Sequence, residues 1–423
     1  MKVGICSLGC KVNIYEAEYV INLLKENGYT IVDFEDKADI YIINTCSVTN
    51  ESDKKSRKTI NRAKRNNKDA IIIVMGCYSQ VSSEEIDADI ILGNKDKSKI
   101  VDIIEEYKNT KESKKIIYDL TKVEFEKMEI TKFENHTRAF VKIQDGCNAF
   151  CSYCIIPYAR GRVRSKSPND VINEVTKLVK DGYKEIVLTG IHTGRYGIDI
   201  NTTLEDLLEE LIKIPGIYRI RLSSIEINEI TPKIIKLIKE SNVMAKHLHI
   251  PLQSGSNKIL KLMNRRYNKE EFINMVNTLK EIEDISLTTD LIVGFPCEGE
   301  EEFNEAMETL NIISFTKIHI FPYSKRKGTP AASMDNQVSP EIKKDRVRKV
   351  LELSSNSELN YYKNNISKEY DGVVEIHQSG EILVHTSNFI PVVINSNNVN
   401  NNDIVKVKIT EVKNNKVYGE VVN

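Results

Sequence analysis

Apolar residues along this chain follow two alternating periods, and that alternation outlines the fold. Short β-branched runs at residues 3–7, 40–44 and 70–75 are apolar at nearly every position, as strands buried on both faces of a parallel sheet are. Between them, residues 14–27 carry apolar side chains at helical spacing and stop at Gly28, while 52–66 is polar and helical. This predicts a small doubly wound α/β domain over residues 1–107. Residues 108–132 are charged and weakly patterned, and read as a linker with room for one strand. The alternation then resumes. Strand signals at 139–144, 185–189, 219–223, 247–250, 287–293 and 315–321 are separated by helical ones at 168–180, 204–214, 232–241, 269–282 and 300–312. Six such units predict a (β/α)6 partial TIM-like barrel over 133–362, closed by a long polar helix at 340–357. From 363 to 423 the pattern turns to short β-branched runs between turn residues, the signature of a small all-β barrel. The fold class is therefore α/β multidomain.

Composition adds limits. The 423 residues have 40% hydrophobic and 29% charged content, as globular proteins do. No apolar run reaches the ~18 residues of a membrane helix, and the first residues lack the features of a secretion signal. The expected compartment is the cytoplasm, where thiols stay reduced, so the eight cysteines read as metal ligands or buried apolar residues rather than disulfides. A net charge of −1 excludes a wholesale polyanion binder. Basic residues are nevertheless clustered. Eight lie between 51 and 68 against two acids, and Arg160, Arg162, Arg164 and Lys166 follow a cysteine-rich loop. Arg57, Arg62, Arg65, Arg160 and Arg162 are the candidate phosphate contacts. The carboxyl-terminal module has six lysines against seven acids, so charge does not mark it as an RNA binder; Tyr370, Phe389 and Tyr418 could stack on bases there.

The strongest chemical signal is Cys147-x3-Cys151-x2-Cys154, just after the first predicted barrel strand. Thiolates are preferred ligands of iron–sulfur clusters and zinc. A structural zinc site ordinarily takes four ligands, and no fourth cysteine or histidine is close by. A cubane held by these three thiolates would keep one iron open for a reactive ligand. Cys10, Cys46 and Cys77 each follow a predicted strand of the first domain. One reading makes them small buried residues. The other brings them together at the carboxyl edge of the sheet, where such folds bind ligands. Cys6, inside the first strand, reads as buried.

The Cys147 array, with Tyr153 before its last cysteine, resembles the radical S-adenosylmethionine (SAM) enzymes. More of the chain resembles the methylthiotransferases within that family: Leu8-Gly-Cys-Lys-Val-Asn13, Asn44-Thr-Cys-Ser-Val-Thr49, Met75-Gly-Cys-Tyr-Ser-Gln80, Leu188-Thr-Gly-Ile-His-Thr-Gly194, Arg221-Leu-Ser-Ser-Ile-Glu226, His249-Ile-Pro-Leu-Gln-Ser-Gly255 and Phe321-Pro-Tyr-Ser-Lys-Arg-Lys-Gly-Thr-Pro330. The Gly-Cys-Lys-Val-Asn form is similar to the bacterial MtaB-type branch, which modifies N6-threonylcarbamoyladenosine at position 37 of tRNA; the isopentenyladenosine branch typically has Gln-Met in place of Lys11-Val12. The all-β module lies where that family carries its RNA-binding TRAM domain. The resemblance implies a SAM-binding [4Fe-4S] cluster on Cys147, Cys151 and Cys154, and an auxiliary one on Cys10, Cys46 and Cys77. It implies Tyr153 and the strand around Val293 at the adenine of SAM, and Gly190 at its methionyl end; Glu226 is a candidate for its ribose or amino group, or a plain loop carboxylate. Cys297 stands where the family usually has glycine.

The implied reaction replaces hydrogen at adenine C2 with a methylthio group, one SAM supplying the methyl group and a second the radical. Partners implied are the tRNA anticodon stem-loop, an electron donor such as flavodoxin or ferredoxin, a sulfur donor of unspecified identity, and no membrane. The purine would have to turn out of its stack to be reached. The same chemistry on isopentenyladenosine or a ribosomal-protein aspartate is the alternative within the family. A zinc-dependent RNA-binding module is the alternative outside it.

Overall fold

The computed structural model describes residues 1–133, 136–377, 380–396 and 398–422. In the first domain β1 (Lys2–Ser7), β2 (Thr30–Val32), β3 (Ile40–Thr45), β4 (Ile71–Gly76), β5 (Ile90–Leu92) and β6 (Lys114–Ile116) form one sheet, ordered β2-β1-β3-β4-β5-β6. All its pairings are parallel. α1 (Lys11–Glu26), α2 (Asn50–Asn66), α3 (Cys77–Ser82) and α4 (Ile100–Thr110) connect the strands. The unbroken apolar runs of β3 and β4 serve both faces. Ile40, Ile42, Ile71 and Ile73 pack with Val20 and Leu24 of α1 and Ile103 and Ile104 of α4. Tyr41, Ile43, Ile72 and Val74 pack with Ile60 and Ala63 of α2. The sheet is thus doubly wound, as the pattern predicts.

The boundary at 107 is corrected by β6, which continues this sheet past it. A three-residue Lys-Lys-Ile edge strand has too little alternation to be read from sequence. The expected linker is also pinned: Met128 and Ile130 are buried in the core of the second domain.

That domain carries β7 (Ala139–Lys142), β8 (Gln144–Asp145), β9 (Arg164–Ser165), β10 (Glu185–Thr189), β11 (Arg219–Leu222), β12 (His247–His249), β13 (Ser286–Val293) and β14 (Lys317–Pro322). β7, β10 and β11 form one parallel sheet and β12, β13 and β14 another. A parallel bridge between Ile220 and Met244 joins them into one open barrel of six strands. Its helices are α5 (Ile156–Arg160), α6 (Pro168–Lys180), α7 (Leu204–Leu211), α8 (Pro232–Glu240), α9 (Asn257–Leu262), α10 (Lys269–Lys280), α11 (Glu300–Ile313) and α12 (Pro340–Lys363). All six predicted barrel strands are present. α1 packs on the β7 flank, where Tyr15 Oη lies within hydrogen-bond distance of Glu174 Oε1 at 2.9 Å and of the Met128 carbonyl at 2.8 Å. α12 lies along β14, where the Ser354 hydroxyl bonds the Ile318 amide and carbonyl at 2.9 and 3.1 Å, contacts that a seventh strand would otherwise make.

β15 (Glu369–Ile376), β16 (Ile382–Thr386), β17 (Pro391–Ile394), β18 (Ile404–Lys413) and β19 (Lys416–Val422) close a small barrel, as expected. It docks at the amino ends of β10 and β11. There Arg219 donates to the carbonyls of His385 and Asp371, and Arg221 to those of Thr386 and Ser387. No helix among the described residues is long and apolar enough to cross a membrane.

Candidate active site

The cysteine loop starts at Gly146, whose φ of 72° and close approach exclude a side chain: a Cβ there would lie 1.9 Å from the Arg162 carbonyl oxygen. The loop is held shut by the Cys147 amide, which donates to the Gly161 carbonyl at 3.0 Å. Around its thiols stand side chains the sequence did not single out. Arg265 Nη1 donates to Cys151 Sγ at 3.3 Å, and its other arm pairs with Glu226. His192 Nδ1 lies 3.2 Å from Cys147 Sγ, and its Nε2 lies 2.8 Å from Glu229, which also holds Arg195 at 2.6 Å. Burial opposes charge on the His192 ring. Its contacts with Cys147 and Glu229 outweigh that and push it up to about 10, so it stays protonated at neutral pH.

These groups border a cavity of about 240 Å³ that includes Cys151, Glu226 and Tyr267 in its wall. Gly190 follows β10 and sits tight against Gln144: a Cβ would fall 3.0 Å from Gln144 Oε1. Tyr153 packs edge-on against Phe295, ring centres 6.3 Å apart. Val293 is buried at the end of β13, its carbonyl bonded to the Tyr323 amide at 2.8 Å. Cys297 has φ 67°, the left-handed backbone that glycine adopts most easily.

Cys10, Cys46 and Cys77 follow β1, β3 and β4, at the point where the strand order reverses. Gly9, with φ 102°, makes room for the second thiol; a Cβ on it would fall 2.8 Å from Cys46 Sγ. Arg326 reaches across from the second domain to clamp the Cys46 loop, pairing with Asp53 at 2.7 Å and donating to Ser47 Oγ at 2.7 Å. Cys6 points into the α2-side core instead.

The two sets of cysteines meet through Arg160. This fully buried side chain donates from Nε to Cys77 Sγ at 3.3 Å, from Nη2 to Asn13 Oδ1 at 2.6 Å, and from Nη1 to Glu16 at 2.9 Å and Asp145 at 3.1 Å. Asp145 in turn accepts the Gly146 amide at 2.8 Å, one residue before Cys147. Lys97 and Lys142 also pair with Glu16, and Lys142 and Arg164 with Asp145. Four buried cations therefore surround two carboxylates beside Cys77. Burial alone would raise the Glu16 pKa, but Arg160, Lys142 and Lys97 hold it well below the usual range. The surplus positive charge favours an anion at the thiols.

Both sets suit iron–sulfur ligation. Cys154 is pushed up to about 12 by burial and by Cys151 and Cys147, and Cys46 to about 11 by burial and by Cys77 and Cys10. Thiols so placed ionise together only when a cationic metal centre holds them. Among the described residues no three His, Cys, Asp or Glu side chains close on the single point that one metal ion would occupy.

The expected phosphate contacts divide. Arg160 is removed from them, because it is buried at the domain interface and fully engaged. Arg62 pairs with Glu35 at 2.8 Å and covers the Phe34 ring. Arg57 donates to Tyr78 Oη at 3.1 Å but stays exposed, as does Arg65. Arg162 is exposed over Phe150. Tyr370 is buried and hydrogen-bonded to Asn365, so it cannot stack on a base. Phe389 stacks on His247 instead, ring centres 4.8 Å apart. A groove of about 720 Å³ between the first two domains, not foreseen from sequence, brings Lys325, Lys327 and exposed Tyr158 beside Asn50 of α2.

Residues 2–95 match the uncharacterized protein family UPF0004, and residues 141–310 match the radical SAM superfamily. The chain is 44% identical to the threonylcarbamoyladenosine tRNA methylthiotransferase MtaB of Bacillus subtilis, over 96% of this chain and 93% of that protein. It is 42% identical to the protein of the same name from Aquifex aeolicus, over 88% and 93%. It is 36% identical to the tRNA-2-methylthio-N(6)-dimethylallyladenosine synthase of Clostridium tetani, over 98% and 95%. Among solved structures, the radical SAM methyltransferase TsrM of Kitasatospora setae superposes with a TM-score of 0.59 at 12% identity, covering 78% of this chain and 76% of that one, a likeness of fold.

Proposed function

The chain belongs to the radical SAM methylthiotransferases of the MtaB type, and we propose that it methylthiolates C2 of N6-threonylcarbamoyladenosine at position 37 of tRNA. The observation that carries this reading is the pairing of two cysteine sets across one interface, linked by Arg160 between Cys77 and the Asp145–Cys147 turn. In this reading Cys147, Cys151 and Cys154 hold one [4Fe-4S] cluster, and Cys10, Cys46 and Cys77 hold a second. A C2–H bond is strong and not acidic, so side-chain acid–base chemistry does not break it. The clusters and SAM, when bound, would supply the radical and the methyl group, with electrons from a flavodoxin or ferredoxin and sulfur from a donor of unspecified identity.

This chain's own residues do the placing. Glu226 and Arg265 offer a carboxylate and a guanidinium at the mouth of the SAM cavity, fixed by each other and by Cys151. His192, held beside Glu229, places its ring against Cys147 Sγ. Gly190 keeps the turn after β10 close against Gln144. Lys325 and Lys327, with Arg57, Arg65 and Arg162, present cations to the tRNA backbone. Replacing Lys325 and Lys327 by alanine is expected to weaken tRNA binding and reduce the salt slope of log Kd by about 1 per lysine, measured by filter binding across a salt series.

Mass spectrometry of tRNA nucleosides tests the reading as a whole. A strain lacking the gene should lose 2-methylthio-N6-threonylcarbamoyladenosine and regain it on complementation. Loss of the dimethylallyl counterpart instead would reassign the substrate.

A further inference from the structure

The groove between the first two domains lies between the two cysteine loops. One wall is the Lys325–Pro330 segment, which is tied to both. Arg326 turns inward just past Cys46, donating to Ser47 Oγ at 2.7 Å and to Asn50 Oδ1 at 2.9 Å and pairing with Asp53 at 2.7 Å. The Ala331 amide donates to the Ser152 carbonyl at 2.8 Å, inside the Cys147–Cys154 loop. Lys325 and Lys327, on either side of Arg326, line the groove instead, and among the described residues neither has an ion-pair partner. No carboxylate among the described residues lines it either. Its volume of about 720 Å³ is that of a ligand cleft, and its charge calls for an anion.

Tyr158 of α5 lines the same groove. That short helix buries Pro157, Ala159 and Arg160 but leaves Tyr158 48% exposed. Its backbone is anchored, because the Ala159 carbonyl accepts Asn94 Nδ2 at 2.8 Å. The ring is braced as well. Phe150 meets it edge-on at 89°, ring centres 6.0 Å apart, and the Arg162 guanidinium lies 4.6 Å from the centre of the Phe150 ring. Phe150 holds φ 50°, an uncommon backbone for a bulky residue, with its carbonyl fixed by Asn264 Nδ2 at 3.1 Å. Among the described residues the Tyr158 hydroxyl has no hydrogen-bond partner. An aromatic ring is thus held firmly in an open groove beside two unpaired cations, four residues from Cys154.

We propose that the groove takes the anticodon-loop base next to the target adenine, and that Tyr158 is the positioning residue that stacks on it. This rests on the function proposed above. Turning the adenine out of its stack leaves its neighbour without a partner, which costs stacking energy. A tyrosine ring already fixed in place offsets that cost with little ordering of its own. Unpaired cations beside an exposed ring are the way single strands are bound, the ring meeting a base and the lysines its phosphates. An acidic protein surface would satisfy the lysines but would not use the ring in this way. Stacking tolerates any base, so one ring serves tRNAs whose neighbouring bases differ.

The test is equilibrium binding of the full-length, cluster-loaded protein to two synthetic anticodon stem-loops that contain N6-threonylcarbamoyladenosine. One carries the fluorescent base 2-aminopurine on its 5′ side and the other on its 3′ side. Tyr158→Ala should weaken binding about tenfold and leave the salt slope of log Kd unchanged, because a stacked base releases no counterions. Tyr158→Phe should bind as the wild type does, since the hydroxyl has no partner to lose. One of the two probes should be quenched by the wild-type and phenylalanine proteins and stay bright with the alanine protein. Iron content and circular dichroism check folding. If the alanine variant fails that check, Tyr158→Leu, which keeps apolar bulk without a ring, takes its place with the same expected losses. Unchanged affinity without the ring overturns the proposal, and so does a loss that comes with a smaller salt slope, because the ring would then act only through the lysines. Nucleoside profiling judges the proposed function separately. A strain that makes the methylthio product, while its protein binds equally well without the ring, retains the function and loses this inference.

Discussion

Arg160→Met is expected to destabilise the interface of the first two domains by about 3–5 kcal/mol and to empty the Cys10–Cys46–Cys77 site of iron while the Cys147–Cys154 loop still loads. The magnitude follows from burial. Arg160 has no solvent exposure, and its guanidinium is shared by Glu16, Asp145, Asn13 and Cys77. Methionine fills most of the volume but leaves two buried carboxylates with less compensation. Lys97, Lys142 and Arg164 remain to offset part of that loss, which places the effect toward the lower end. Arg160→Lys keeps the charge but not the planar fork that reaches four partners, so it should fall between the two. Urea unfolding gives the stability, and iron per chain with electron paramagnetic resonance of the reduced protein gives site occupancy. Full iron content with an unchanged unfolding midpoint would falsify the assignment of Arg160 as the link between the sites.

Arg160 also shows where sequence reading stops. As one of four basic residues after the cysteine loop it reads as a phosphate contact, and nothing local distinguishes it from exposed Arg162. Its partner Glu16 is 144 residues away on an amphipathic helix of another domain. Buried ion pairs across domains leave no periodic trace, whereas barrel strands and helices do, because each repeats its apolar face every two or every three to four residues. That is why the six barrel strands were legible and β6, with three residues, was not. The two cysteine sets are read from different signals. Cys147, Cys151 and Cys154 declare themselves by spacing. Cys10, Cys46 and Cys77 are singled out by the motifs around them and by standing at the ends of strands that the fold makes neighbours. Arg265, which touches Cys151, lies 114 residues from it and carried no such flag, whereas His192, 45 residues from Cys147, lies inside the Leu188–Gly194 motif.

Alanine at Cys10, Cys46 and Cys77 together is expected to separate the two halves of the chemistry. The variant should still cleave SAM to 5′-deoxyadenosine, because the Cys147–Cys154 loop, its Arg265 and His192 contacts and the cavity beside it all lie in the second domain. It should form no methylthio product, a loss well beyond the ~10–100-fold typical of changes to outer-shell partners, since the ligands themselves are gone. Alanine at Cys147, Cys151 and Cys154 should do the reverse, abolishing SAM cleavage while the first domain keeps its iron. Chromatography of 5′-deoxyadenosine, nucleoside mass spectrometry and iron content read the three quantities on the same preparations. The outcome that would sink the two-site reading is product formation by the first variant, because sulfur would then reach adenine without the first domain's thiols. Arg160 makes the separation imperfect in a useful way. Because it bonds Cys77 on one side and the Asp145 turn on the other, emptying the first site should perturb the spectrum of the cluster in the second, whereas two independent sites would leave that spectrum unchanged.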